Sequence, residues 1–285
     1  MLEAVSQNFK EIMQKKLSKK SDTKAVVGWF FEDVEAVVTY GDFGLMNPET
    51  MSFQIGSVTK LFTATLAASF QNNGNLDLKG RVGDYLQLEA DSTIRAIRVE
   101  DLLTHHAGLP SAPKALLGKY DKLNPYQHVS KEKLTSYLNT YRKPVKSKSS
   151  FQYSNLGFSI LGQVLEEISG KPYEELVKED ICQPLGIKDL WMTIPEEDIN
   201  LAPGAMRRNM ELSRWVLNAI APAGAIDANI KDMLKFARAN LHGHPFYSRC
   251  EMCHQVKRTI SKHLDLGLGW LITRHNMHLP LVLRD

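Results

Sequence analysis

The chain has 285 residues, of which 43% are hydrophobic and 24% charged, so its composition excludes disordered and fibrous proteins. The formal net charge is only +3, and the lysine-rich stretch Lys15–Lys20 has no interleaved aromatic residues, so we expect no nucleic-acid binding. No window of about 18 uncharged apolar residues occurs, which predicts no transmembrane helix. Three cysteines and an N-terminus without a signal-peptide core predict a cytoplasmic protein without a disulfide framework.

Hydrophobic periodicity and capping residues predict most of the secondary structure. Two β-rich runs on either side of Glu32 and Asp33 are typical of a hairpin. The predicted elements, in chain order, are an amphipathic helix over Leu2–Leu17, strands Ala25–Phe31 and Val34–Tyr40, a helix from about Val58 that ends at Asn72–Gly74, a helix capped by Ser130, helices Asn155–Ser169 and Asn229–Leu241, and strands Leu266–Ile272 and Leu279–Leu283.

Strand-bearing ends therefore flank a helical middle. We interpret residues 1-75 and 223-285 as one α/β region and residues 76-222 as an all-helical insertion. The expected fold class is α/β, with a cleft between the two parts.

A Ser-x-x-Lys spacing puts both side chains on one face of a helix, where a partly desolvated Lys can help to deprotonate the Ser. The pattern occurs four times, so spacing alone does not identify a nucleophile. Ser57 is distinguished because it follows Gly56 and opens a strongly apolar helix, with Lys60 one turn later. A helix cap is the alternative interpretation of Ser57. The other occurrences are Ser21–Lys24 in a charged connector, Ser111–Lys114 in a loop, and Ser130–Lys133, where Ser130 is better explained as an N-cap.

Tyr153-Ser-Asn155 precedes a predicted helix, where extended or looped backbone places Tyr153 and Asn155 on the same side. A phenol near Lys60 can relay protons, and an amide can hold a substrate carbonyl or amide group. The alternative is a packed Tyr followed by an Asn cap. Tyr137-Leu-Asn139 has the same letters but lies within a predicted helix, where residues two apart point in different directions.

Several segments, in the family's order, resemble those of class C β-lactamases, D-alanyl-D-alanine carboxypeptidases and related esterases. They are Phe53–Phe62 around the candidate nucleophile, Val99–Pro110, which is similar to the family's LLTHTSGLP segment, Tyr153–Gly162, Pro184–Asp189 and Ala223–Phe236. The resemblance implies a β-lactamase-like antiparallel sheet flanked by helices, with a large all-α insertion. It also implies acyl transfer without a metal or organic cofactor.

The same resemblance assigns roles by position. Ser57 is then the acylated nucleophile and Lys60 its activator, while Tyr153 is the general base and later the proton donor. Asn155 positions the substrate, which is an ester, a D-amino-acid peptide or a β-lactam. The alternative is a non-catalytic member that binds a peptide or partner, and the sequence leaves the oligomeric state open.

The family's third motif is Lys or His, then a small residue, then Gly, and it helps to form the oxyanion hole. It follows a Gly-Leu-Gly-Trp segment that Gly267–Trp270 matches, but no such motif follows before Asp285. His106-Ala-Gly108 fits the letters but lies in the segment that resembles LLTHTSGLP. We therefore expect a sheet that is incomplete at its C-terminal end and a chain that is weakly active or inactive.

Cys250-Glu-Met-Cys253-His254 has the form of a c-type haem attachment site, and part of the form of a zinc site. We expect neither group, because no leader is visible and none of the candidate fourth zinc ligands His242, His244 and His263 is convincing. The alternative is two reduced cysteines in a variable loop. The adjacent pair His105-His106 is expected to shape a turn, and proximity to the cleft is the alternative.

Overall fold

The described part of the chain consists of helices and short antiparallel strands. The computed structural model describes residues 2–18, 23–117, 123–145, 150–193, 200–202, 206–207, 210–211, 214–273 and 278–280. The α-helices are α1 (Leu2–Leu17), α2 (Thr59–Asn72), α3 (Val99–Leu103), α4 (Lys114–Leu117), α5 (Lys131–Asn139), α6 (Asn155–Ser169), α7 (Tyr173–Val177), α8 (Gln183–Leu185), α9 (Ile230–Ala239) and α10 (Tyr247–Cys250). The strands are β1 (Ala25–Phe31), β2 (Val34–Tyr40), β3 (Phe53–Gln54), β4 (Leu190–Trp191), β5 (Met206–Arg207), β6 (Met210–Glu211), β7 (Asp227–Ala228), β8 (Arg258–Ser261), β9 (Leu264–Leu266), β10 (Trp270–Thr273) and β11 (His278–Pro280).

The strongly patterned elements lie where the sequence predicts them. The N-terminal hairpin pairs β1 with β2 in antiparallel register, from Ala25 opposite Tyr40 to Phe31 opposite Val34. Ser130 caps α5, because its Oγ accepts a 3.2 Å hydrogen bond from the backbone N–H of the residue three positions on. Within the described residues, no helix is both long enough and apolar enough to span a membrane.

Short sheets fix the chain around the start of α2. β7 lies between β3 and β4, so it connects the strand that leads towards Ser57 with residues 190–191. The strands β11, β10, β9 and β8 form a separate antiparallel sheet in that order. In the part of the chain that the structure describes, neither sheet is hydrogen-bonded to the β1-β2 hairpin.

Helix α2 is at the centre of the hydrophobic core. Its residues from Thr59 to Phe70 are all buried, as expected for a helix that is mainly apolar on every side. Phe62 stacks on Phe236 of α9 with ring centroids 3.8 Å apart. Burial of one such ring stabilises the fold by about 2 kcal/mol. The N-terminal end of α2 is therefore held in a well-packed frame.

The strand predicted over Leu266–Ile272 is wrong as a single element, because three residues with two glycines separate β9 from β10. Gly267 lies directly against the carbonyl of Cys253, where a side chain would not fit. Gly269 has a left-handed φ of +74°, which favours glycine. The chain turns here instead of continuing as a strand. Of the last predicted strand, residues 281–283 lie outside the described residues.

Two other predictions need adjustment. Helix α9 starts after its Asn229 cap but ends at Ala239, two residues before the predicted Leu241. The region 76-222, predicted as all-helical, also contains the two-residue strands β4, β5 and β6. Strands this short have no alternating pattern in the sequence. The division into an α/β region and an insertion stays a prediction.

A close approach at Gly162 joins α6 to the 3-10 segment Asn218–Ala223. A Cβ added at Gly162 would overlap the ring of Pro222. Gly157 lies in the same helix, but a Cβ there would have its nearest neighbour at 3.6 Å, an ordinary contact. The absence of a side chain at Gly162 is therefore what lets the segment ending at Ala223 approach α6.

We expect Gly162→Ala to lower the free energy of unfolding by about 2 kcal/mol, because overpacking outweighs the gain in helix propensity. The matched variant Gly157→Ala should leave stability unchanged or raise it by up to about 1 kcal/mol. Urea unfolding of the two variants measures the difference. Equal effects of the two substitutions would contradict the proposed close approach.

Candidate active site

Ser57 lies in the 3-10 turn Gly56–Val58, directly before α2. Gly56 has a left-handed φ of +53°, so the sharp entry into the helix favours glycine at this position. The caps of the turn and of α2 are Ile55 and Val58, and neither makes a side-chain capping bond. The interpretation of Ser57 as a helix cap is therefore wrong. Its hydroxyl is available to the side chains around it.

The buried ammonium of Lys60 connects three segments of the chain. Lys60 has no solvent exposure. Its Nζ donates to Ser57 Oγ at 3.2 Å, to Asn155 Oδ1 at 2.8 Å and to the carbonyl oxygen of Ala223 at 2.6 Å. An ammonium has three N–H donors, which matches these three acceptors among the described residues.

Tyr153 is placed on the other side of the nucleophile's hydroxyl. Its phenol donates to Ser57 Oγ over 2.6 Å. The Nζ of Lys60 lies 4.8 Å from the centroid of the Tyr153 ring, within cation–π range. Ser57 Oγ is thus within hydrogen-bond distance of two groups that can exchange protons with it.

Asn155 is the first residue of α6, and its amide is used at both ends. Its Oδ1 accepts from Lys60, and its Nδ2 donates to the Tyr126 hydroxyl at 3.1 Å. The helix cap is Ser154, whose Oγ accepts from the backbone N–H of Gly157 at 3.0 Å. The alternative of an Asn cap is therefore wrong. The structure brings together all four residues that the sequence singled out, and their roles stay predictions.

Sequence patterns missed three further contributors to this cluster. The acceptor at Ala223 is a backbone carbonyl, which no side-chain motif can reveal. Tyr126 lies in a loop without a motif, and its ring also contacts Trp215 at 5.7 Å between centroids. For His105 the sequence predicts a turn, with proximity to the cleft as the alternative, but it gives this residue no role in the cluster. The segment that resembles LLTHTSGLP was the one available signal for it.

His105 is a buried, neutral histidine next to the cluster. Its backbone has a left-handed φ of +58°, and 1% of the residue is exposed. Burial, and then the positive charge of Lys60 and the neighbouring His106, lower the pKa of His105 to about 3. Its Nδ1 accepts a 3.0 Å hydrogen bond from the backbone N–H of Ser154, which assigns the ring proton to Nε2.

The Cys250–His254 segment is packed into the fold. The thiols of Cys250 and Cys253 are buried, and burial raises the pKa of both. The Cys253 Sγ donates to the carbonyl of Ala64 at 3.4 Å, and the His254 ring contacts Trp270. Among the described residues, no group of three or more His, Cys, Asp or Glu side chains could hold a metal ion. That the segment carries neither haem nor zinc stays a prediction.

A cavity of about 530 Å³ lies behind the segment that carries Ala223. Gln54, Trp215 and Pro222 are among its lining residues, whereas Ser57 and Lys60 are not. The Gln54 side chain holds Trp215 at two points, by donating to its carbonyl at 2.9 Å and accepting from its N–H at 3.0 Å. The cavity therefore adjoins the candidate site without containing its reactive groups.

Comparisons with known proteins identify the family and relatives that this chain resembles. A family model described as Beta-lactamase matches residues 21–279. A beta-lactamase of Pseudomonas fluorescens is 25% identical over 243 residues, which cover 81% of this chain and 65% of that protein. The D-alanyl-D-alanine-carboxypeptidase/endopeptidase AmpH of Escherichia coli (strain K12) is 26% identical over 236 residues, or 76% of this chain and 60% of that protein. The chain thus spans less than two thirds of the length of both curated relatives.

Solved structures share the fold. A class C beta-lactamase from Rhodobacter sphaeroides superposes with a TM-score of 0.77 at 22% identity, over 92% of this chain and 74% of that one. The octameric penicillin-binding protein homologue from Pyrococcus abyssi gives 0.77 at 21% identity, over 93% of this chain and 64% of that one. The fold class expected from the sequence is confirmed.

We expect the neutral burial of His105 to make stability depend on pH. Below the ordinary histidine pKa, the side chain of His105 binds a proton in the unfolded chain but not in the folded chain. The free energy of unfolding therefore falls as the pH falls towards about 3, the pKa of His105 in the folded chain. Between pH 8 and pH 5, wild-type protein should lose about 2 kcal/mol more than His105→Asn. Urea unfolding across this range measures the difference.

The matched control is His263→Asn, at an exposed position. It should leave the pH dependence of the wild type unchanged. If His105→Asn keeps the full wild-type dependence, His105 is not buried in its neutral form.

Proposed function

Because the chain belongs to the beta-lactamase family, we propose that it is a serine hydrolase that transfers acyl groups through Ser57. The observation that carries the proposal is the position of Ser57 Oγ between Lys60 Nζ at 3.2 Å and the Tyr153 hydroxyl at 2.6 Å. A serine is a weak nucleophile unless a neighbouring base removes its proton, and such a base must lie within about 3.2 Å. Both neighbours lie within this distance, but Lys60 as an ammonium has no lone pair, so the ionised Tyr153 phenol is the base and Lys60 its electrostatic partner.

The reactive form has Tyr153 ionised, after the phenol proton that it donates to Ser57 Oγ in the structure has been lost to solvent. In the acylation step, Ser57 Oγ attacks the substrate carbonyl and its own proton passes to the ionised Tyr153 oxygen. The ammonium of Lys60, close to both groups, favours the ionised phenol that accepts this proton. The backbone N–H of Ser57 lies at the start of a helix, where N–H groups have no acceptor within the helix, so it can donate to the developing oxyanion. The tetrahedral intermediate then collapses, and Tyr153 returns the proton to the leaving group.

In the deacylation step, water attacks the Ser57 ester and Tyr153 takes the water's proton. The proton returns to Ser57 Oγ as the acid product leaves, which restores the starting state. These steps use only groups of the chain and water, so the proposed reaction needs neither a metal nor an organic cofactor.

Asn155 has a positioning part in this scheme. Its Oδ1 holds Lys60, while its Nδ2 donates to the Tyr126 hydroxyl. A substrate carbonyl that replaces this hydroxyl would receive the same donor. Asn155 would then bind the substrate without releasing Lys60.

The proposed substrate class is an ester, a D-amino-acid peptide or a β-lactam. The names of the relatives, a beta-lactamase and a D-alanyl-D-alanine-carboxypeptidase/endopeptidase, support this range of substrates, and they support a hydrolase over a binding protein.

The proposed location is the cytoplasm. Buried free thiols at Cys182, Cys250 and Cys253 suit a reducing compartment, in line with this location.

Ser57 should be the one residue that an acylating probe modifies. Incubation with a fluorophosphonate or a fluorescent penicillin, followed by intact-mass analysis, should give a single adduct that Ser57→Ala abolishes. Ser130→Ala is the matched control, because Ser130 has the same spacing to a lysine but caps α5. No adduct on folded wild-type protein with either probe would favour a binding protein, and an adduct at Ser111 or Ser130 would overturn the assignment.

Lys60 and Tyr153 should act as one proton-transfer unit. We expect Lys60→Met and Tyr153→Phe each to slow acylation by at least about 100-fold, since each removes one member of the proposed proton-transfer unit. The double variant should be little slower than the slower single one, because members of a unit are not additive. Stopped-flow acylation rates of the three variants give the comparison. Losses that multiply would mean that the two residues act independently.

A further inference from the structure

The backbone on both sides of Tyr153 is bound by His105. The N–H of Gln152 donates to the His105 carbonyl at 2.8 Å. The N–H of Ser154 donates to His105 Nδ1 at 3.0 Å. Since Gln152 and Ser154 are the immediate neighbours of Tyr153, one residue sets the position of the peptide units that carry the phenol.

The His105 ring also contacts the phenol ring itself. The two ring centroids are 4.5 Å apart with an interplanar angle of 33°. Phe158 of α6 lies 5.2 Å from His105, and the Lys60 Nζ lies 5.6 Å from the Phe158 ring. Tyr153 is therefore in contact with His105 as well as with the Lys60 ammonium, in a tightly packed aromatic cluster.

A histidine suits this position for two physical reasons. Its backbone has a left-handed φ of +58°, a region in which His, Asn and Asp are several-fold enriched among residues other than glycine. Its neutral ring offers an acceptor at Nδ1, which an aliphatic or phenyl side chain lacks. Protonation would remove that acceptor and add a second positive charge near Lys60, and the depressed pKa of His105 agrees with a neutral ring.

We propose that His105 is a positioning residue for Tyr153, which holds the phenol oxygen in line with Ser57 Oγ through its carbonyl, its Nδ1 and its ring face. This inference rests on the proposed acyl-transfer function. His105 does not exchange protons itself, because Nδ1 is bound to a backbone N–H and Nε2 is buried without a hydrogen-bond partner among the described residues. It acts only through Tyr153.

Two substitutions at His105 distinguish the effect of its hydrogen-bond acceptor from the effect of its size. His105→Asn keeps a short side chain with an acceptor near the position of Nδ1 and tolerates the left-handed backbone. His105→Leu keeps comparable bulk but has no acceptor. Leu134→Ala, which opens a cavity at a fully buried position in α5, is the matched control for lost stability.

The first readout is the acylation rate constant per folded active site. We expect His105→Leu to lower it by about 100-fold with little change in KM, because a small displacement of a reacting group has this effect. His105→Asn should recover most of the rate. Leu134→Ala should lower the folded fraction but not the rate per folded site. A wild-type rate in His105→Leu, or an equal loss in Leu134→Ala, would overturn the proposal.

The second readout does not depend on activity. In protein labelled with ¹³C-tyrosine, the signal missing from Tyr153→Phe identifies Tyr153, and its titration reports how the phenol is held. We expect His105→Leu to shift the midpoint of the Tyr153 titration and His105→Asn to leave this midpoint as in the wild type. An unchanged Tyr153 titration in His105→Leu would overturn the proposal whatever the rates. If the wild type is not acylated at all, the proposed function fails, and the titration still decides the role of His105.

Discussion

A buried ammonium with three fixed acceptors is the constraint on which the rest of the site depends. Removing a charge from water is costly unless the charge is fully hydrogen-bonded. Lys60 meets this condition through Ser57 Oγ, Asn155 Oδ1 and the Ala223 carbonyl. These acceptors come from the turn before α2, the start of α6 and the 3-10 segment before β7. Folding can therefore bury Lys60 at low cost only if the three segments meet at one point, which is also the point where the proposed chemistry takes place.

The surrounding fold positions the groups around Ser57 in several different ways. α2 is buried on all sides, which fixes Lys60 itself. Gly162 lets the segment that ends at Ala223 pack directly on α6. His105 and the capping serine Ser154 fix the backbone between Tyr153 and the start of α6. The packing of α2, the absence of a side chain at Gly162 and the buried ring of His105 thus all help to position the groups around Ser57.

Local sequence signals predicted the parts of this arrangement that depend on short stretches of chain. The hairpin of β1 and β2 and the cap of α5 follow from alternation and capping chemistry. The pair Ser57 and Lys60 was distinguished by Gly56 and the apolar helix that follows, because the spacing alone occurs four times. The role of the Ala223 carbonyl could not be predicted, because every residue type has a backbone carbonyl. Tyr126 and His105 enter the site through tertiary contacts with Asn155 and Ser154. For the same reason, the local context of Ser57 and Lys60 indicated the pair but not the groups that orient it.

A crystal structure of the protein after reaction with an acylating probe tests the organising role of Lys60 most directly. We expect continuous density from Ser57 Oγ to the probe, with Lys60 Nζ still within hydrogen-bond distance of Asn155 Oδ1 and the Ala223 carbonyl. The Tyr153 oxygen should remain the closest side-chain oxygen to the new ester. An adduct on another residue, or a Lys60 side chain that has left both Asn155 and Ala223, would contradict the claim that this buried ammonium organises the site.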